Sequence, residues 1–201
     1  DHELIMYRPI DPIKGTFQYQ DRITDVYDRG EGKGAVVKTQ LDVRDEAGNL
    51  VCVNRSTTFF HEAGGFGGPP MPKSDVVIPD RAPDYEEEDY ISPVQHLLYR
   101  LTGDTNLIHV DPGYARKMGL ESSCMQGLCS FGFCCRMAIG ALIPGQPERM
   151  KRMAAQMTSV LYPGTPVKFQ LWKMEEGRVY FRFLNQTTGK PILNRGVFEW
   201  E

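Results

Sequence analysis

The sequence lacks an apolar run long enough to cross a membrane, and Arg136 interrupts its longest one. It also lacks an excess of one charge, because the formal net charge is −3 and the two signs are mixed along the chain. We therefore expect no surface for nucleic acid or for an anionic membrane. A dinucleotide-binding motif and a set of spaced Cys and His ligands are missing too, so we expect no cofactor and no metal site.

Cysteine is scarce and odd in number. The five residues are Cys52, Cys124, Cys129, Cys134 and Cys135. An odd count in a chain of 201 residues argues against a disulfide framework, and no pair has zinc-ligand spacing. We predict reduced thiols buried in the core of a protein from a reducing compartment.

The first part of the chain has the pattern of a β meander. Strands are predicted at 16–27, 33–43 and 50–60. The glycine- and proline-rich segment 64–70 fits the interior of neither a helix nor a strand. Residues 69–92 are rich in Pro, Asp and Glu and predict an extended connector, in which the acidic run 86–89 is a solvated stretch and not a metal site.

Helical segments follow. Residues 93–101 fit a short helix or a strand, and a short helix is predicted from Asp111-Pro112 to about Met118, since Asp caps helices and Pro suits their first position. A longer helix is predicted from Gly127 to Ile143. It is apolar on nearly every face, so we expect it to be buried all round, with small residues that let a sheet wrap closely around it.

The remainder of the chain returns to strands, at 156–162, 167–174, 178–186 and 191–200. A long curved antiparallel sheet around one buried helix is the hot-dog arrangement, an α+β fold. Residues 93–201 predict a complete catalytic hot dog, residues 1–68 the strands alone of a second one, and residues 69–92 the connector. We expect all strands to join one continuous sheet, because a meander without its own helix has an uncovered apolar face.

Three polar side chains suited to acid–base chemistry on a bound water lie close together after Gly103. Asp104 and His109 can move protons near neutral pH, and Asn106 can orient a water through both a donor and an acceptor. This spacing alone is more typical of a polar loop than of an active site. Gly127, at the start of the long helix, is either an oxyanion donor or a packing or capping glycine.

The wider sequence resembles a known family. Residues 99–115 are similar to the signature of the MaoC-like, or type-2, enoyl-CoA hydratases, and residues 126–133 resemble the start of the long helix in that family. Further similarity at 64–68, 78–84 and 162–164 extends the match to nearly the whole chain, with the hydratase domains of eukaryotic peroxisomal type-2 multifunctional enzymes most similar. Leu107 and Gln126 depart from the family, which usually has Pro and His there.

The resemblance implies reversible hydration of trans-2-enoyl-CoA to (3R)-3-hydroxyacyl-CoA in fatty-acid β-oxidation, with no cofactor because CoA is part of the substrate. It implies that Asp104 and His109 activate the water and deliver the proton, that Asn106 holds the water, and that the Gly127 N–H receives the thioester oxygen. It further implies four substrate-binding residues: Gly65, Phe66, Gly67 and Arg81. A peroxisomal location is implied as well, although neither end of the chain shows a targeting signal; otherwise an intracellular soluble protein is expected.

Two alternatives remain open. One is a non-catalytic acyl-CoA-binding or interaction protein of the same fold, and the other is a hot-dog dehydratase acting on carrier-protein thioesters. The presence of all four predicted catalytic residues favours the hydratase. Because the first meander has no helix of its own, we expect a homodimer to cover its apolar face, and little preference for long acyl chains.

Overall fold

Strands dominate a computed structural model of the chain, which describes residues 1–11 and 13–201. The described residues form nine strands: β1 His2–Met6, β2 Gln18–Asp28, β3 Ala35–Arg44, β4 Leu50–Phe60, β5 Tyr85–Tyr90, β6 Met150–Met157, β7 Pro166–Glu175, β8 Arg178–Asn185 and β9 Pro191–Trp200. They also form three α-helices: α1 Gln95–Arg100, α2 Pro112–Lys117 and α3 Gly127–Leu142. Short 3-10 turns lie at Leu107–His109 and Pro147–Arg149.

The strands pair into one sheet with the order β2-β3-β4-β1-β6-β9-β8-β7-β5. The predicted continuity of the sheet is therefore confirmed, and a nine-stranded sheet with one long helix agrees with the predicted α+β hot-dog class. The chain forms two compact units, the first made of 1–77, 148–154 and 197–201 and the second of 78–147 and 155–196. The boundaries predicted at 68 and 92 stay a prediction.

The first unit is an antiparallel meander in which β3 pairs with both β2 and β4. Within the meander of β2, β3 and β4, the buried side chains lie on β3 and β4, whereas β2 is exposed along most of its length, with Tyr19 at 76% and Ile23 at 66% exposure. Glu3 on β1 accepts hydrogen bonds from Arg152 Nε at 2.5 Å and from Arg55 Nη1 at 3.0 Å. These ion pairs fasten β1 to segments distant in sequence.

The second unit contains the β7–β8 hairpin, whose inward-facing residues are fully buried. Phe169 lies opposite Phe183 in the register, and the rings of Phe169 and Phe181 have centroids 5.4 Å apart. Val179, Phe181 and Phe183 have no exposed surface, whereas the residues between them are partly exposed. The predicted hairpin and its period-two alternation are confirmed.

The acidic run 86–89 was predicted to be a solvated stretch of an extended connector. It instead forms the edge strand β5, paired antiparallel with β7. Neighbouring cations offset its charge. Lys168 Nζ lies 3.0 Å from Glu88 Oε1, and Arg136 forms an ion pair with Asp89. Composition alone could not show these partners, since they come from other segments of the chain.

Helix α3 is buried on one side only. Its buried residues are Cys129, Ser130, Phe131, Cys134, Met137 and Ala138. Its exposed residues are Gly127 at the first position and four residues spaced four apart, Leu128, Gly132, Arg136 and Gly140. The expectation of burial on nearly every face was wrong, because positions four apart share one face of a helix and this face lies outside the core.

The start of the short helix α2, before α3, agrees with the prediction from the sequence. Asp111 caps α2, since its Oδ1 accepts hydrogen bonds from the backbone N–H of Gly113 at 2.8 Å and of Tyr114 at 3.0 Å. Pro112 occupies the first helical position, so the predicted helix start is confirmed. Across the described ranges, no helix combines the length and apolar character that a membrane crossing would need.

Candidate active site

The loop after α1 arranges its own polar side chains. Gly103 has a φ of +108°, a conformation that favours glycine and turns the chain sharply. The Asn106 N–H then donates to Asp104 Oδ1 at 2.8 Å, and the Ile108 N–H donates to Asn106 Oδ1 at 3.2 Å. Asn106 thus caps the 3-10 turn that ends at His109. Local hydrogen bonds therefore hold the backbone of the loop that carries Asp104 and His109.

Asp104 and His109 face each other. The distance from Asp104 Oδ2 to His109 Nε2 is 3.9 Å, and the two side chains are only 18% and 14% exposed. His109 Nδ1 lies 2.9 Å from the carbonyl oxygen of Cys124. Because a carbonyl only accepts, Nδ1 must carry the proton, which leaves the lone pair of the neutral ring on Nε2. Asp104 Oδ2 and the unprotonated His109 Nε2, which both accept protons, therefore face each other.

The segment that supplies the Cys124 carbonyl is itself anchored on both sides. The Glu121 N–H donates to Tyr162 Oη at 3.1 Å, and the Met125 N–H donates to the carbonyl of Leu161 at 2.8 Å. Cys124 lies between these two contacts and is buried. The orientation of the His109 ring thus depends on a backbone group held by the chain on both sides of it.

Gly127 begins α3 directly after this segment. Helix geometry leaves its N–H without an intrahelical acceptor, at the positive end of the helix dipole. A Cβ at this position would lie 2.6 Å from Met157 Sδ, so a flexible side chain lies close to one side of a glycine that is otherwise exposed. Beside it lies a cavity of about 180 Å³. Its lining is largely apolar and includes Met125, Gly127, Met157, Leu161, Ile192 and Leu193.

Helix α1 lies close enough to this loop for its residues to respond to the loop's charges. Burial, and secondly the charge of His109, lower the pKa of His96. Burial, and then the negative charges of Cys129 and Asp104, raise the pKa of Tyr99. His96 is therefore neutral over a wider pH range than an ordinary histidine.

Three of the four predicted substrate-binding residues lie in the first unit. The backbone N–H groups of Gly65 and Gly67 donate to the two carboxylate oxygens of Asp28 at 2.8 Å and 2.6 Å. The Gly30 N–H adds a third bond at 2.8 Å. Phe66 is 55% exposed. The glycine-rich segment is thus fastened to the end of β2 by one carboxylate, and the binding role of these residues stays a prediction.

Arg81, the fourth of these residues, lies in the second unit and has internal partners. Its two Nη atoms lie 2.9 Å and 2.8 Å from the carboxylate oxygens of Asp84. Nη2 also donates to the carbonyl of Lys173 at 3.2 Å. This guanidinium therefore holds the chain before β5 against β7, and a role in substrate binding stays a prediction.

The sequence analysis did not predict two residues with structural roles, one that orients His109 and one that anchors the glycine-rich segment. Cys124 acts through its backbone carbonyl, which no side-chain pattern reveals. Asp28 lies far from the glycines in sequence, and a single Asp at a strand end gives no signal of its own. The roles of Asp104, Asn106, His109 and Gly127 also stay predictions, although the structure brings the first three onto one loop.

Comparison with known proteins assigns the family. Residues 75–194 match the MaoC like domain, so the chain belongs to the MaoC-like family. The peroxisomal multifunctional enzyme type 2 of Drosophila melanogaster is 35% identical over 187 residues, which are 91% of this chain and 31% of that protein. Enoyl-CoA hydratase 2, peroxisomal, of Arabidopsis thaliana is 31% identical over 199 residues, which are 94% of this chain and 63% of that protein. The predicted resemblance is confirmed.

Solved structures support the same assignment. A MaoC-like dehydratase from Phytophthora capsici superposes with a TM-score of 0.92 at 30% identity, covering 100% of this chain and 70% of that one. The full-length multifunctional enzyme type 2 of Drosophila melanogaster superposes with a TM-score of 0.87 at 31% identity, covering 100% of this chain and 36% of that one. The chain thus spans about a third of the Drosophila enzyme and less than two thirds of the Arabidopsis hydratase.

Proposed function

We propose that this chain catalyses the reversible addition of water to trans-2-enoyl-CoA, giving (3R)-3-hydroxyacyl-CoA in fatty-acid β-oxidation. The observation that carries the proposal is the largely buried pair of Asp104 Oδ2 and His109 Nε2, 3.9 Å apart. The pair lies on the loop whose histidine is held by Cys124, three residues before the start of α3. An acid/base pair joined by a hydrogen bond to the segment that precedes a helix N-terminus suits a reaction that moves protons and builds charge on a carbonyl.

The pair can share one water molecule. A water between two acceptors at this separation can donate one proton to Asp104 and one to His109. As the water oxygen attacks C3 of the enoyl thioester, one of its protons passes to the pair, and the pair gives a proton to C2. The net change is addition of H and OH across the double bond, and both side chains return to their initial protonation. No cofactor takes part in this scheme.

The thioester carbonyl needs a donor during this step, because negative charge develops on its oxygen while C2 has enolate character. In the proposal the Gly127 N–H supplies the donor, assisted by the dipole of α3. The missing side chain lets the carbonyl approach closely. Asn106 contributes through Nδ2, since its Oδ1 caps the 3-10 turn and Nδ2 has no hydrogen-bond partner among the described residues.

Hydration is tested directly by the loss of enoyl-thioester absorbance with crotonyl-CoA and with a ten-carbon enoyl-CoA, followed by chiral analysis of the product. We expect turnover and the (3R) product. Binding of both substrates without turnover would support a non-catalytic acyl-CoA-binding protein instead. Turnover confined to carrier-protein thioesters would support the dehydratase alternative.

Location and assembly are proposed on separate grounds. A peroxisomal location is supported by the similarity of the chain to peroxisomal enzymes of Drosophila and Arabidopsis. A homodimer is supported by Tyr19 and Ile23, exposed large side chains on the edge strand β2. Fluorescence co-localisation with a peroxisomal marker tests the first proposal, and light scattering tests the second. A monodisperse monomer that binds little hydrophobic dye would exclude the dimer.

A further inference from the structure

Gln126 occupies an unusual position for a polar residue. It is the N-cap of α3, with φ −65° and ψ 136°, yet its side chain makes no capping hydrogen bond. The residue is only 3% exposed. Its Nε2 donates instead to the backbone carbonyl of His96 at 3.1 Å. The carboxamide thus turns away from the helix it begins and binds α1.

The hydrogen bond from Gln126 to His96 connects the start of α3 with the helix that precedes the Asp104–His109 loop. His96 belongs to α1, and the chain leaves α1 through Gly103 into the loop that carries Asp104. On the other side, the peptide between Gln126 and Gly127 contains the N–H proposed to receive the thioester oxygen. The direction of that N–H depends on the backbone angles of Gln126. Its side chain therefore links the position of the oxyanion donor to the helix that precedes the acid/base pair.

Packing alone does not account for a glutamine here. Within the described residues, Gln126 Oε1 is buried and has no hydrogen-bond partner, and neither has the buried Nδ1 of His96. An unpaired buried oxygen destabilises a fold relative to an apolar side chain of the same size. Methionine would fill the same volume without that cost. The feature that methionine lacks is the N–H donor that reaches His96.

We propose that Gln126 is a positioning residue of the hydratase site, which orients the Gly127 N–H toward the thioester oxygen by holding the first peptide of α3 against α1. The inference rests on the proposed function. Gln126 acts through Gly127 and does not touch the substrate. An oxyanion contact strengthens as charge develops, so its misalignment lowers kcat and leaves KM nearly unchanged.

The variant Gln126→Met tests this because it keeps the length of the side chain and removes the donor. Gln126→His restores a ring N–H donor and is the residue usual in the resembling family. The control Gln95→Met breaks a hydrogen bond between α1 and α3, Gln95 Nε2 to Cys129 Sγ at 3.9 Å, without involving the Gln126–Gly127 peptide. Each variant is measured for kcat, KM and melting temperature.

A spectroscopic measurement separates orientation from stability. Polarisation of the thioester carbonyl by the Gly127 N–H shifts the absorbance of bound cinnamoyl-CoA to longer wavelength. We expect Gln126→Met to lose this shift and to lower kcat about 10- to 100-fold, the scale of a donor displaced by about 1 Å. Melting temperature should not fall, and Gln126→His and Gln95→Met should retain most of the shift and of kcat.

Three outcomes overturn the inference. A Gln126→Met variant with wild-type kcat and red shift would show that the contact does not orient the donor. A lower melting temperature with an unchanged red shift would make Gln126 a purely structural residue. If the unmodified chain neither hydrates crotonyl-CoA nor shifts the spectrum of cinnamoyl-CoA, the proposed function fails, and this inference fails with it.

Discussion

Asp104→Asn isolates the proton-accepting role of one oxygen atom. The Asn side chain keeps the oxygen that accepts from the Asn106 N–H at 2.8 Å, so the loop retains its local hydrogen bond. The other oxygen, 3.9 Å from His109 Nε2, becomes an NH₂ group that cannot accept a proton. We therefore expect normal folding and a loss of hydration.

The expected loss follows from the chemistry that is removed. General acid–base groups contribute about 100- to 10,000-fold, which corresponds to about 3–5 kcal/mol of transition-state free energy. The change in folding free energy should be small by comparison, under about 1 kcal/mol, since the charge pair is partly screened and exists only when His109 is protonated. Activity and stability are therefore expected to separate clearly.

The assay is the initial rate of loss of enoyl-thioester absorbance, normalised to folded protein by circular dichroism. Asp111→Ala is a matched control, because it removes a nearby carboxylate that only caps α2. The control should cost about 1 kcal/mol of stability and keep its turnover per folded molecule. Turnover of Asp104→Asn within a few-fold of the unmodified chain would remove Asp104 from the mechanism.

Four further predictions follow from the site and its surroundings. His109→Ala should lower turnover at least about 100-fold; an unchanged rate per folded molecule with a lower melting temperature would make His109 a packing residue. Gly127→Ala should lose activity, and combining it with Met157→Ala should relieve the 2.6 Å contact without restoring activity relative to Met157→Ala alone; full recovery would make Gly127 a packing glycine. Backbone N–H donors lower the pKa of Asp28, so its stabilising effect is complete above the ordinary Asp pKa of about 3.9 and is lost as pH falls through the lower folded-state value. Asp28→Asn should therefore flatten the acid limb of the stability–pH curve in urea titrations, and an unaltered limb would contradict this. Burial raises the pKa of Cys135 to about 11, so alkylation near neutral pH, followed by mass spectrometry, should be much slower in the folded than in the unfolded chain.

Strands with strong local patterns were predictable from the sequence. Strands β4 and β9 occur at the predicted residues, and the β7–β8 hairpin follows its alternation closely. Strand β6 was predicted at 156–162 and lies at Met150–Met157. The residues Met-Lys-Arg-Met-Ala-Ala-Gln-Met are good helix formers, so local propensity gave no sign of a strand. Pairing with neighbouring strands in the sheet determines its conformation.

In the candidate site too, local features could be predicted from the sequence and long-range contacts could not. The Asp104–His109 loop could be predicted because its residues are close in sequence and bind each other through local hydrogen bonds. The Cys124 carbonyl and the Asp28 carboxylate could not, because each acts on a segment that only the fold brings near. All five cysteines are present as thiols, as predicted, and Cys135 is less buried than the other four.

The ion pairs of Glu3 have a consequence for synthesis of the chain. Glu3 binds Arg152, which also binds Glu199 Oε1 at 3.0 Å, and all three belong to the first unit. A ribosome adding about 5–20 residues per second exposes Glu3 and its other partner, Arg55, well before Arg152 and Glu199. Until residue 199 has emerged, β1 in the early meander therefore lacks the complete set of ion pairs that joins Glu3, Arg152 and Glu199. We expect nascent chains stalled before residue 148 to bind chaperones through this meander, and chains extended past residue 201 to release them.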